Sequence, residues 1–466
     1  DQSVDLHSSL LGSDFGDFLY MFRDILAPDV VERVRKTIEE RVLLRACDYR
    51  LNIWWNTCRH NWNHVVNSCL ISTACSIIPD ALTLARYIHP VIENLKYGLD
   101  GYTNDGGCTE GPGYWGYGFD HFLDAAIVLR HRTGGKLDLV GQNEKIQRIC
   151  RYPMAAYIEG KTCTCWCDSA HGYIPSRVAY KINEYFRVPE LYGLCEHTPS
   201  GDVKPDSFDN YRIWRTFTLY TPRPARVPPL RTDALLPDLG HAKVYAANRK
   251  GITALAALAG NNGVNHNHND IGSFIYYNHG RCLLTDPGSC VYDNTTFGPR
   301  RYESIFNNSF GHSVPVINGT LQSPGAQYCG TIAAEGLGTS GTKTITIDMT
   351  HAYELPALLS LIRTFRLAVD GTLQMEDAYD FRDTPSALEE AFITRERAAL
   401  ARGGKSVIIG KGTACVRLSC EEGRGRFRVA RLVEESKKGR EAGVISRITF
   451  TPAIRAKTIR LLFRIA

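Results

Sequence analysis

Three segments of this chain concentrate histidine, asparagine, tyrosine and acidic residues at spacings suited to catalysis or metal binding. The most regular is NHNHND, residues 265–270, in which His266, His268 and Asp270 alternate with asparagines. Residues two apart in an extended segment project from the same face, so these three side chains are predicted to converge. Two imidazoles beside a carboxylate can hold a metal ion or exchange protons.

Two further residues complete a candidate metal site. Asp286 begins the turn in TDPG, and His312 precedes an apolar run in FGHSVPVING. Together with His268 they offer nitrogen, oxygen and nitrogen ligands, with room for a fourth ligand. Isolated histidines are more often structural, so the sequence alone leaves both interpretations open.

The second segment, WWNTCRHNWNH at residues 54–64, lies in the N-terminal half. It holds His60, Asn61, Trp62 and Asn63 just before an apolar helical run. Amides and imidazoles beside tryptophan faces are typical of sugar-binding surfaces. A helix cap accompanied by core tryptophans is the alternative.

The third segment, EGPGYWGYG at residues 110–118, places Glu110, Tyr114, Trp115 and Tyr117 among glycines. Glycines allow a backbone to approach a ligand closely. A tyrosine hydroxyl can act as an acid or a base when its neighbours tune it. A glycine- and tyrosine-rich loop that only packs on a surface is the alternative.

The elements that carry these segments change character near residue 225. Helical periodicity marks residues 30–47, 80–99 and 121–135. Short β-branched and aromatic runs follow, with hairpin turns predicted at residues 278–280 and 370–371, and the ambiguous segment 386–400 is assigned to this half. Four prolines in TPRPARVPPLRTD, residues 221–233, indicate a linker. The predicted fold class is α+β, with domains at residues 1–222 and 223–466.

Composition is that of a globular protein large enough for two domains. The 466 residues are 44% hydrophobic and 22% charged, with a net charge of +5 that suits a polyanionic ligand. Basic runs of the nucleic-acid-binding kind and apolar stretches long enough for a bilayer are both absent, so neither nucleic acid nor membrane is predicted as a partner. The 15 cysteines are scattered, which favours buried free thiols, although Cys163, Cys165 and Cys167 form a minor candidate for a soft metal.

In this order, the three segments resemble the heparinase II/III-like polysaccharide lyases. The resemblance is most specific from residue 265 to residue 319, in NHNHNDIGSF, TDPG and FGHSVPVING, and less specific in HNWN and EGPGYWGYG. It implies an incomplete α/α toroid followed by an antiparallel β-sandwich. It also implies one structural divalent metal at His268, Asp286 and His312, with zinc expected and manganese as the alternative.

The resemblance further implies catalytic roles. An amide, Asn63 or Asn61, would neutralise a substrate carboxylate, while Tyr117 or Tyr114 and His266 would serve as acid and base; Asn63 and Tyr117 are preferred. The residues predicted to contact substrate are His60, Trp62, Glu110, Trp115, Arg300, Arg301 and Tyr302.

The expected reaction is β-elimination in a uronic-acid-containing glycosaminoglycan of the hyaluronan, chondroitin, dermatan or heparan type. Alginate is the second substrate candidate. A toroid glycoside hydrolase and a non-catalytic polysaccharide-binding protein are the alternatives from other classes. The N-terminal residues carry no signal-peptide pattern, but secretion or a periplasmic location in a bacterium is expected from the substrate class. The oligomeric state is left open.

Overall fold

The computed structural model describes most of the chain as two compact units. The described residues are 4–48, 53–141, 143–195, 227, 231–248, 251–412 and 414–466. The first unit comprises Asp1–Cys108, Gly113–Tyr152 and Tyr173–Pro229, and the second comprises Thr109–Pro112, Pro153–Gly172 and Leu230–Ala466. The predicted boundary at residues 222 and 223, and most of the predicted linker, lie outside the described residues.

The first unit is built from helices. They are α1 (Leu6–Phe22), α2 (Pro28–Ile38), α3 (Leu44–Ala46), α4 (Asn61–Ile77), α5 (Ala81–Asp100), α6 (Pro112–Arg132), α7 (Glu144–Ala156) and α8 (Ser176–Tyr185). A π-helical turn, Glu39–Leu43, joins α2 to α3. The three segments predicted as helical therefore fall on α2 to α3, on α5 and on α6.

Local chemistry accounts for several of these helices. Asp5 caps α1 in a reciprocal capping box with Ser8, and the Asp80 carboxylate accepts a hydrogen bond from Thr83 at the start of α5. Helix α1 packs on α4 through small residues, because a Cβ added at Gly16 would lie only 3.4 Å from the Ser76 Cβ. Helix α4, which begins at Asn61, is thereby held at the centre of the unit.

The second unit is built from strands. They are β1 (Tyr157–Glu159), β2 (Thr162–Cys163), β3 (Ala234–Leu236), β4 (His241–Tyr245), β5 (Thr253–Leu258), β6 (Gly260–Asn262), β7 (Phe274–Asn278), β8 (Arg281–Leu284), β9 (Val316–Ile317), β10 (Gly325–Glu335), β11 (Lys343–Asp348), β12 (Leu358–Leu367), β13 (Leu373–Phe381), β14 (Leu388–Thr394), β15 (Ala398–Leu400), β16 (Ser406–Lys411), β17 (Ala414–Glu422), β18 (Gly425–Leu432), β19 (Ile445–Pro452) and β20 (Thr458–Ile465), with a short helix α9 (Val433–Ser436).

These strands form antiparallel sheets, as the sequence predicted. Nine strands pair in the order β15-β16-β17-β20-β13-β12-β11-β10-β6, four in the order β18-β19-β14-β9, five in the order β3-β4-β5-β7-β8, and β1 pairs with β2. The predicted turns lie between β7 and β8 and between β12 and β13. The ambiguous segment 386–400 forms β14 and β15, which confirms its assignment to the strand-rich half.

The three larger sheets share one apolar core. Buried and partly exposed residues alternate along β11 and β13, as expected for strands with one face on a core. Phe274, Phe365, Phe392 and Phe463 come from all three sheets and pack together with less than 1% of their surface exposed. Aromatic side chains of this size account for much of the apolar area that such a core buries.

The five-stranded sheet is covered on both faces, which explains why every residue of β5 is buried. Its outer face packs against Ile158, Cys165 and Trp166 from residues 153–172. The buried Lys243 ammonium anchors this segment by donating to the carbonyls of Met154 and Tyr157. The segment Pro153–Gly172 is therefore part of the strand-rich unit, although the main part of that unit begins only at Leu230.

A buried arginine inside the core ties together the loops that hold the functional residues. The Arg363 guanidinium pairs with the carboxylates of Asp377 and Glu390, all with fully buried side chains. It also donates to the carbonyls of Gly272 and Ser313 at 2.8 and 2.6 Å. Because these two carbonyls follow Asp270 and His312 closely in sequence, the charge network fixes the backbone beside both polar loops.

The cysteines follow their predicted state. All 15 lie within the described residues and are free thiols, and nine of them are buried. Among the described residues, no helix is both long enough and apolar enough to cross a membrane.

Candidate active site and metal centre

The NHNHND loop connects β6 to β7 and carries the most chemically active residues of the strand-rich unit. His266 has a φ of 57°, in the left-handed region that few residues other than glycine adopt. Its side chain is 15% exposed, whereas that of His268 is fully buried. The turn at His266 therefore separates the two imidazoles, so that one reaches the surface and the other points into the unit. The prediction that His266 shares one face with His268 and Asp270 is wrong, because the segment turns at His266 instead of staying extended.

A buried carboxylate, Asp168, joins these two imidazoles. Its Oδ2 lies 2.8 Å from Nδ1 of His266, and its Oδ1 lies 3.1 Å from Nε2 of His268. The Tyr292 hydroxyl donates to Oδ2 at 3.0 Å, and Nη2 of Arg301 lies 3.2 Å from the same oxygen. Asp168 thus accepts hydrogen bonds from four side chains.

The electrostatics of Asp168 favour its charged form. Burial alone would raise the pKa of this carboxyl, but hydrogen bonds from His266 and His268 and the charge of Arg301 outweigh burial and hold the pKa well below its usual range. A carboxylate that accepts from Nδ1 of His266 fixes the tautomer in which Nε2 carries the lone pair. Nε2 of His266 lies 3.5 Å from the Glu110 carboxylate. The ring is therefore fixed by one carboxylate at Nδ1 and has a second carboxylate beside Nε2.

Four buried side chains form a candidate metal centre next to this network. His268, Asp270, Asp286 and His312 each offer a ligand atom, and these atoms lie within 4.8 Å of one another. Three of these residues were predicted from sequence. Asp270, which the sequence placed only on the same face as His266 and His268, offers a fourth ligand atom, so the cluster has two nitrogens and two oxygens, a set that tetrahedral zinc sites use.

The hydrogen bonds around the four residues fit a bound cation. Nε2 of His268 faces Asp168, and Nε2 of His312 faces the Phe306 carbonyl at 3.0 Å. Each ring must carry its proton on Nε2 to donate there, which leaves both Nδ1 lone pairs pointing into the cluster. Nδ1 of His268 and Oδ2 of Asp270 are buried without a hydrogen-bond partner. Such outer contacts are what orient histidines toward a metal.

Charge in the cluster also favours a cation. Burial, together with the negative charge of Asp286, raises the pKa of Asp270. Burial would lower the pKa of His312, but the adjacent Asp286 carboxylate, 3.1 Å from Nδ1, outweighs it and raises that pKa. A divalent ion would relieve the repulsion between the two carboxylates without requiring either to be protonated.

In the helical unit, the structure separates the two candidate amides. The Asn63 side chain is fully buried and donates from Nδ2 to the carbonyls of Trp55, Asn56 and Asn94. Its Oδ1 accepts from the Gly98 N–H at 3.1 Å. This amide holds four backbone groups together, and its placement argues against the sequence-based preference for Asn63 as the substrate-binding residue.

Asn61 lies at the first position of α4, beside the tyrosine-bearing face of α6. A Cβ added at Gly118 would lie 3.2 Å from the Asn61 Cα, so this glycine allows α6 to approach the Asn61 backbone. Tyr114, Tyr117 and Gly118 share one helical face, since residues three and four apart are neighbours on a helix. Both tyrosines are partly exposed, and the Tyr117 ring contacts His121 at 5.2 Å between centroids. The helical unit therefore presents Asn61 near these phenols.

Aromatic residues at the start of α4 form a partly exposed cluster. The Trp54 ring, 54% exposed as a residue, contacts Trp62 at 4.9 Å and His60 at 5.8 Å between centroids. This cluster fits the predicted sugar contacts of Trp62 and His60. Trp115 does not, because it is 1% exposed and its indole N–H donates to the Ile149 carbonyl, so its role is packing.

The remaining predicted substrate contacts divide by burial. Arg300 is exposed and pairs with Glu303 at 2.7 Å. Arg301 is buried and donates to Asp168 and to the carbonyls of Asn267 and Thr296, so the prediction that it binds substrate is replaced by a role in positioning this loop. Its predicted partner in substrate binding, Tyr302, is partly exposed and accepts from the Asn267 amide at 3.3 Å.

Glu110 and Asp168 show what sequence reasoning missed. Glu110, predicted to contact substrate, is 4% exposed and lies against His266 instead. Asp168 lies in the segment 161–170, KTCTCWCDSA, where the sequence predicted a functional role only for the cysteines. Phe297, 66% exposed, packs edge-on against His266 at 5.5 Å and was also missed. No spacing in the sequence connects residue 168 to residue 266.

A sequence model of the family described as heparinase II/III-like, C-terminal, matches residues 228–381. This region is a heparinase II/III-like C-terminal domain. It includes His266 and all four residues of the candidate metal centre. The predicted resemblance to this family is confirmed for residues 228–381.

Solved structures share the fold of the chain beyond this domain. A crystal structure of heparinase III aligns with a TM-score of 0.72 at 15% identity, covering 99% of this chain and 68% of that one. A heparan sulfate lyase from Pedobacter heparinus aligns at 0.62 and 14%, covering 87% and 59%. A chondroitin AC lyase from Streptomyces coelicolor A3, in complex with chondroitin sulphate, aligns at 0.55 and 11%, covering 97% and 65%.

At these identities the likeness shows a shared fold. The chain spans about two thirds of the length of the heparinase III structures that it matches, 66% in one case and 68% in another. No curated protein matches the chain in sequence.

Removing a ligand tests the metal centre of the heparinase II/III-like domain. We expect His312→Ala to lower the zinc bound per chain by about one ion and to reduce the stabilisation that zinc gives against heat, because metal binding contributes to folding free energy. Zinc content by plasma mass spectrometry and melting temperature with and without zinc are the measurements. His351→Ala, at an exposed histidine, is the control. Equal zinc content in both variants contradicts the assignment.

The two amides make a matched pair for a stability test. Asn63→Ala leaves buried carbonyls without their donor, and we expect it to lower the free energy of unfolding by about 1–3 kcal/mol or more. Asn61→Ala, two residues away on the same helix, is expected to cost less because Asn61 is 7% exposed whereas Asn63 is fully buried. Urea unfolding followed by circular dichroism measures both. An equal or larger cost for Asn61→Ala is the outcome that this assignment does not survive.

Proposed function

We propose that this chain is a polysaccharide lyase that cleaves uronic-acid-containing glycosaminoglycans by β-elimination. The observation that carries the proposal is the imidazole of His266, held by Asp168 inside a domain that matches the heparinase II/III-like family. Neighbours of known structure named as heparinase III, heparan sulfate lyase and chondroitin AC lyase support the substrate class. As a finer description of the fold, we propose an incomplete α/α toroid followed by a β-sandwich.

The reaction imposes three requirements. The C5 proton of a uronic acid is weakly acidic, because the adjacent carboxylate already bears negative charge. An enzyme must offset that charge while a base removes the proton. The electrons of the C5–H bond then form the C4–C5 double bond as the C4–O bond breaks, and an acid protonates the departing sugar oxygen.

His266 is the proposed base for one C5 epimer. Asp168 accepts from its Nδ1 at 2.8 Å, so Nε2 carries the lone pair that takes the C5 proton. The imidazolium that results lies beside the carboxylates of Asp168 and Glu110, which stabilise it. Asp168 acts here as a positioning residue, because its side chain is fully buried and cannot reach a polymer.

Asn61 is the proposed residue that binds the substrate carboxylate. Its amide can donate a hydrogen bond to a carboxylate oxygen as charge builds up, and the residue is 7% exposed beside Gly118 of α6, whereas Asn63 is fully enclosed. Tyr117 is the proposed acid, and also the base for the other epimer, with Tyr114 one helical turn away as the second candidate. Trp54, Trp62 and His60 offer an aromatic surface for neighbouring sugars.

One divalent cation, zinc by ligand chemistry and manganese as the alternative, is proposed at His268, Asp270, Asp286 and His312. When bound, it supplies a fixed positive charge that orders the loop bearing His266. We assign no step of the elimination to it.

The direct test of this function is a screen for unsaturated products. Hyaluronan, chondroitin sulfate, dermatan sulfate, heparan sulfate, heparin and alginate are incubated with the full chain, and the ultraviolet absorbance of the new conjugated double bond is followed. We expect absorbance to rise with one or more glycosaminoglycans. Reducing ends released without absorbance indicate a hydrolase, and binding without products indicates a carbohydrate-binding protein; either outcome rejects the proposal.

Tyrosine variants test the acid. We expect Tyr117→Phe to abolish turnover with little loss of polymer binding, because the ring remains and only the hydroxyl is removed. Initial rates from the absorbance assay and binding by isothermal calorimetry are the measurements, with Tyr114→Phe as the matched variant on the same helical face. Near wild-type rates for Tyr117→Phe exclude it, and loss of turnover in Tyr114→Phe alone transfers the role.

Variants of the imidazole and its carboxylate test the base. We expect His266→Ala and Asp168→Asn each to lower kcat by roughly 10²–10⁴-fold, with KM changed far less, since both affect proton transfer. The double variant is expected to be no worse than His266→Ala, because the two residues act as one unit. Bound zinc is measured in parallel, since Asp168 also contacts His268. An additive double variant, or a loss explained entirely by lost zinc, argues against this assignment.

A further inference from the structure

A second group of metal-binding side chains lies in the strand-rich unit, outside the proposed reaction. The loop after β2 returns on itself so that Cys165 Sγ lies 3.8 Å from Nε2 of His171. A carboxylate oxygen of Glu441 completes the group, and the three ligand atoms lie within 4.8 Å of one another. None of these residues belongs to the four-residue centre described above.

We propose that Cys165, His171 and Glu441 bind a second divalent cation, and that this cation is zinc. Thiolate, imidazole and carboxylate are the three ligand types of zinc in proteins. The thiolate disfavours magnesium, calcium and manganese, which prefer oxygen. The fourth position is left to water.

The separation of the Cys165 and His171 ligand atoms fits a tetrahedral site. Ligand atoms at the usual zinc distances of about 2.0–2.3 Å and tetrahedral angles are separated by roughly 3.5 Å. The Cys165–His171 separation of 3.8 Å is close to this value, so a cation requires only a small contraction. Cys165 is fully buried, and Oε1 of Glu441 is buried without a hydrogen-bond partner, while Oε2 of the same carboxylate lies 3.5 Å from Nε of Arg395. An unpaired buried carboxylate oxygen is costly unless a ligand satisfies it.

The other edge of the His171 ring faces Cys163. The Cys163 N–H donates to Nδ1 at 3.3 Å, and its sulfur lies 3.9 Å from the same nitrogen. When Nε2 binds a metal, the ring proton must lie on Nδ1, where the Cys163 sulfur replaces the N–H as its partner. Cys163 is thus a positioning residue for the ligand histidine.

A cation bound by Cys165, His171 and Glu441 would also affect the candidate active site, because it would fix the loop that bears Asp168. Asp168 lies between Cys165 and His171 in the chain, so a cation on those two residues closes the loop that presents Asp168 to His266. Glu441 fixes the other side, because it packs against Gly288, where an added Cβ would lie 3.2 Å from its carboxyl carbon. Gly288 in turn donates its N–H to the Asp286 carboxylate at 2.8 Å.

Cobalt distinguishes the two metal centres, because only the second contains sulfur. Cobalt(II) is titrated into the full chain after removal of metal under reducing conditions, and the thiolate-to-cobalt charge-transfer band in the near ultraviolet is recorded. We expect the wild-type chain to develop this band and Cys165→Ser to lose it. His312→Ala, which changes only the four-residue centre, is expected to keep the band. Cys150→Ser, at a buried thiol in α7, is the control and is also expected to keep it.

A second variant and a second measurement distinguish the loss of a metal ligand from misfolding of Cys165→Ser. Glu441→Gln retains the size of the side chain, and we expect it to weaken cobalt binding at least tenfold in a competition titration while the fold, followed by circular dichroism, is unchanged. Zinc is expected to raise the melting temperature of His312→Ala but to raise it less in His312→Ala/Cys165→Ser. The proposal is overturned if the wild-type chain gives no charge-transfer band, if Cys165→Ser retains it, or if Glu441→Gln binds cobalt as tightly as the wild type.

Discussion

The strand-rich unit depends on keeping one buried carboxylate charged. Asp168 is removed from water, which is costly for an anion, and four donors from three separate stretches of chain offset that cost. The same four contacts orient His266 toward the surface and His268 toward the metal centre. Removing any donor leaves the carboxylate less well compensated, so the positions of His266, His268 and the Arg301 loop are coupled through one residue.

The Asp168 carboxylate can keep a defined position only if the residues around it are rigidly packed. The segment bearing Asp168 lies on the outer face of the five-stranded sheet, fixed by Lys243 and by the apolar contacts of Trp166. On the other side, Arg363 holds the backbone next to Asp270 and His312 from inside the core. Polar loops are thus fastened to packed sheets at both ends, which is how a surface site keeps a defined geometry.

The packing of the helices and sheets explains why the sequence identity to proteins of the same fold is low. Structural neighbours that are only 11–15% identical align over most of the chain, so many sequences satisfy the packing of these helices and sheets. Packing accepts any apolar residue of suitable size, whereas a tetrahedral ligand set or an oriented imidazole accepts very few. For this reason the family resemblance is recognisable in short polar segments of the sequence and not in the apolar helices and strands.

The sequence by itself determined the features that depend on local spacing. Alternation in NHNHND predicted that His266, His268 and Asp270 share one face, which holds for His268 and Asp270 but not for His266, and the change from helical to strand periodicity near residue 225 gave the α+β class. Only the tertiary structure brought Asp168 to His266, because 98 residues separate them and no local pattern records that contact. It also distinguished Asn61 from Asn63: two residues on a helix point in nearly opposite directions, and the packing of α4, not its sequence, encloses Asn63 completely while leaving Asn61 7% exposed.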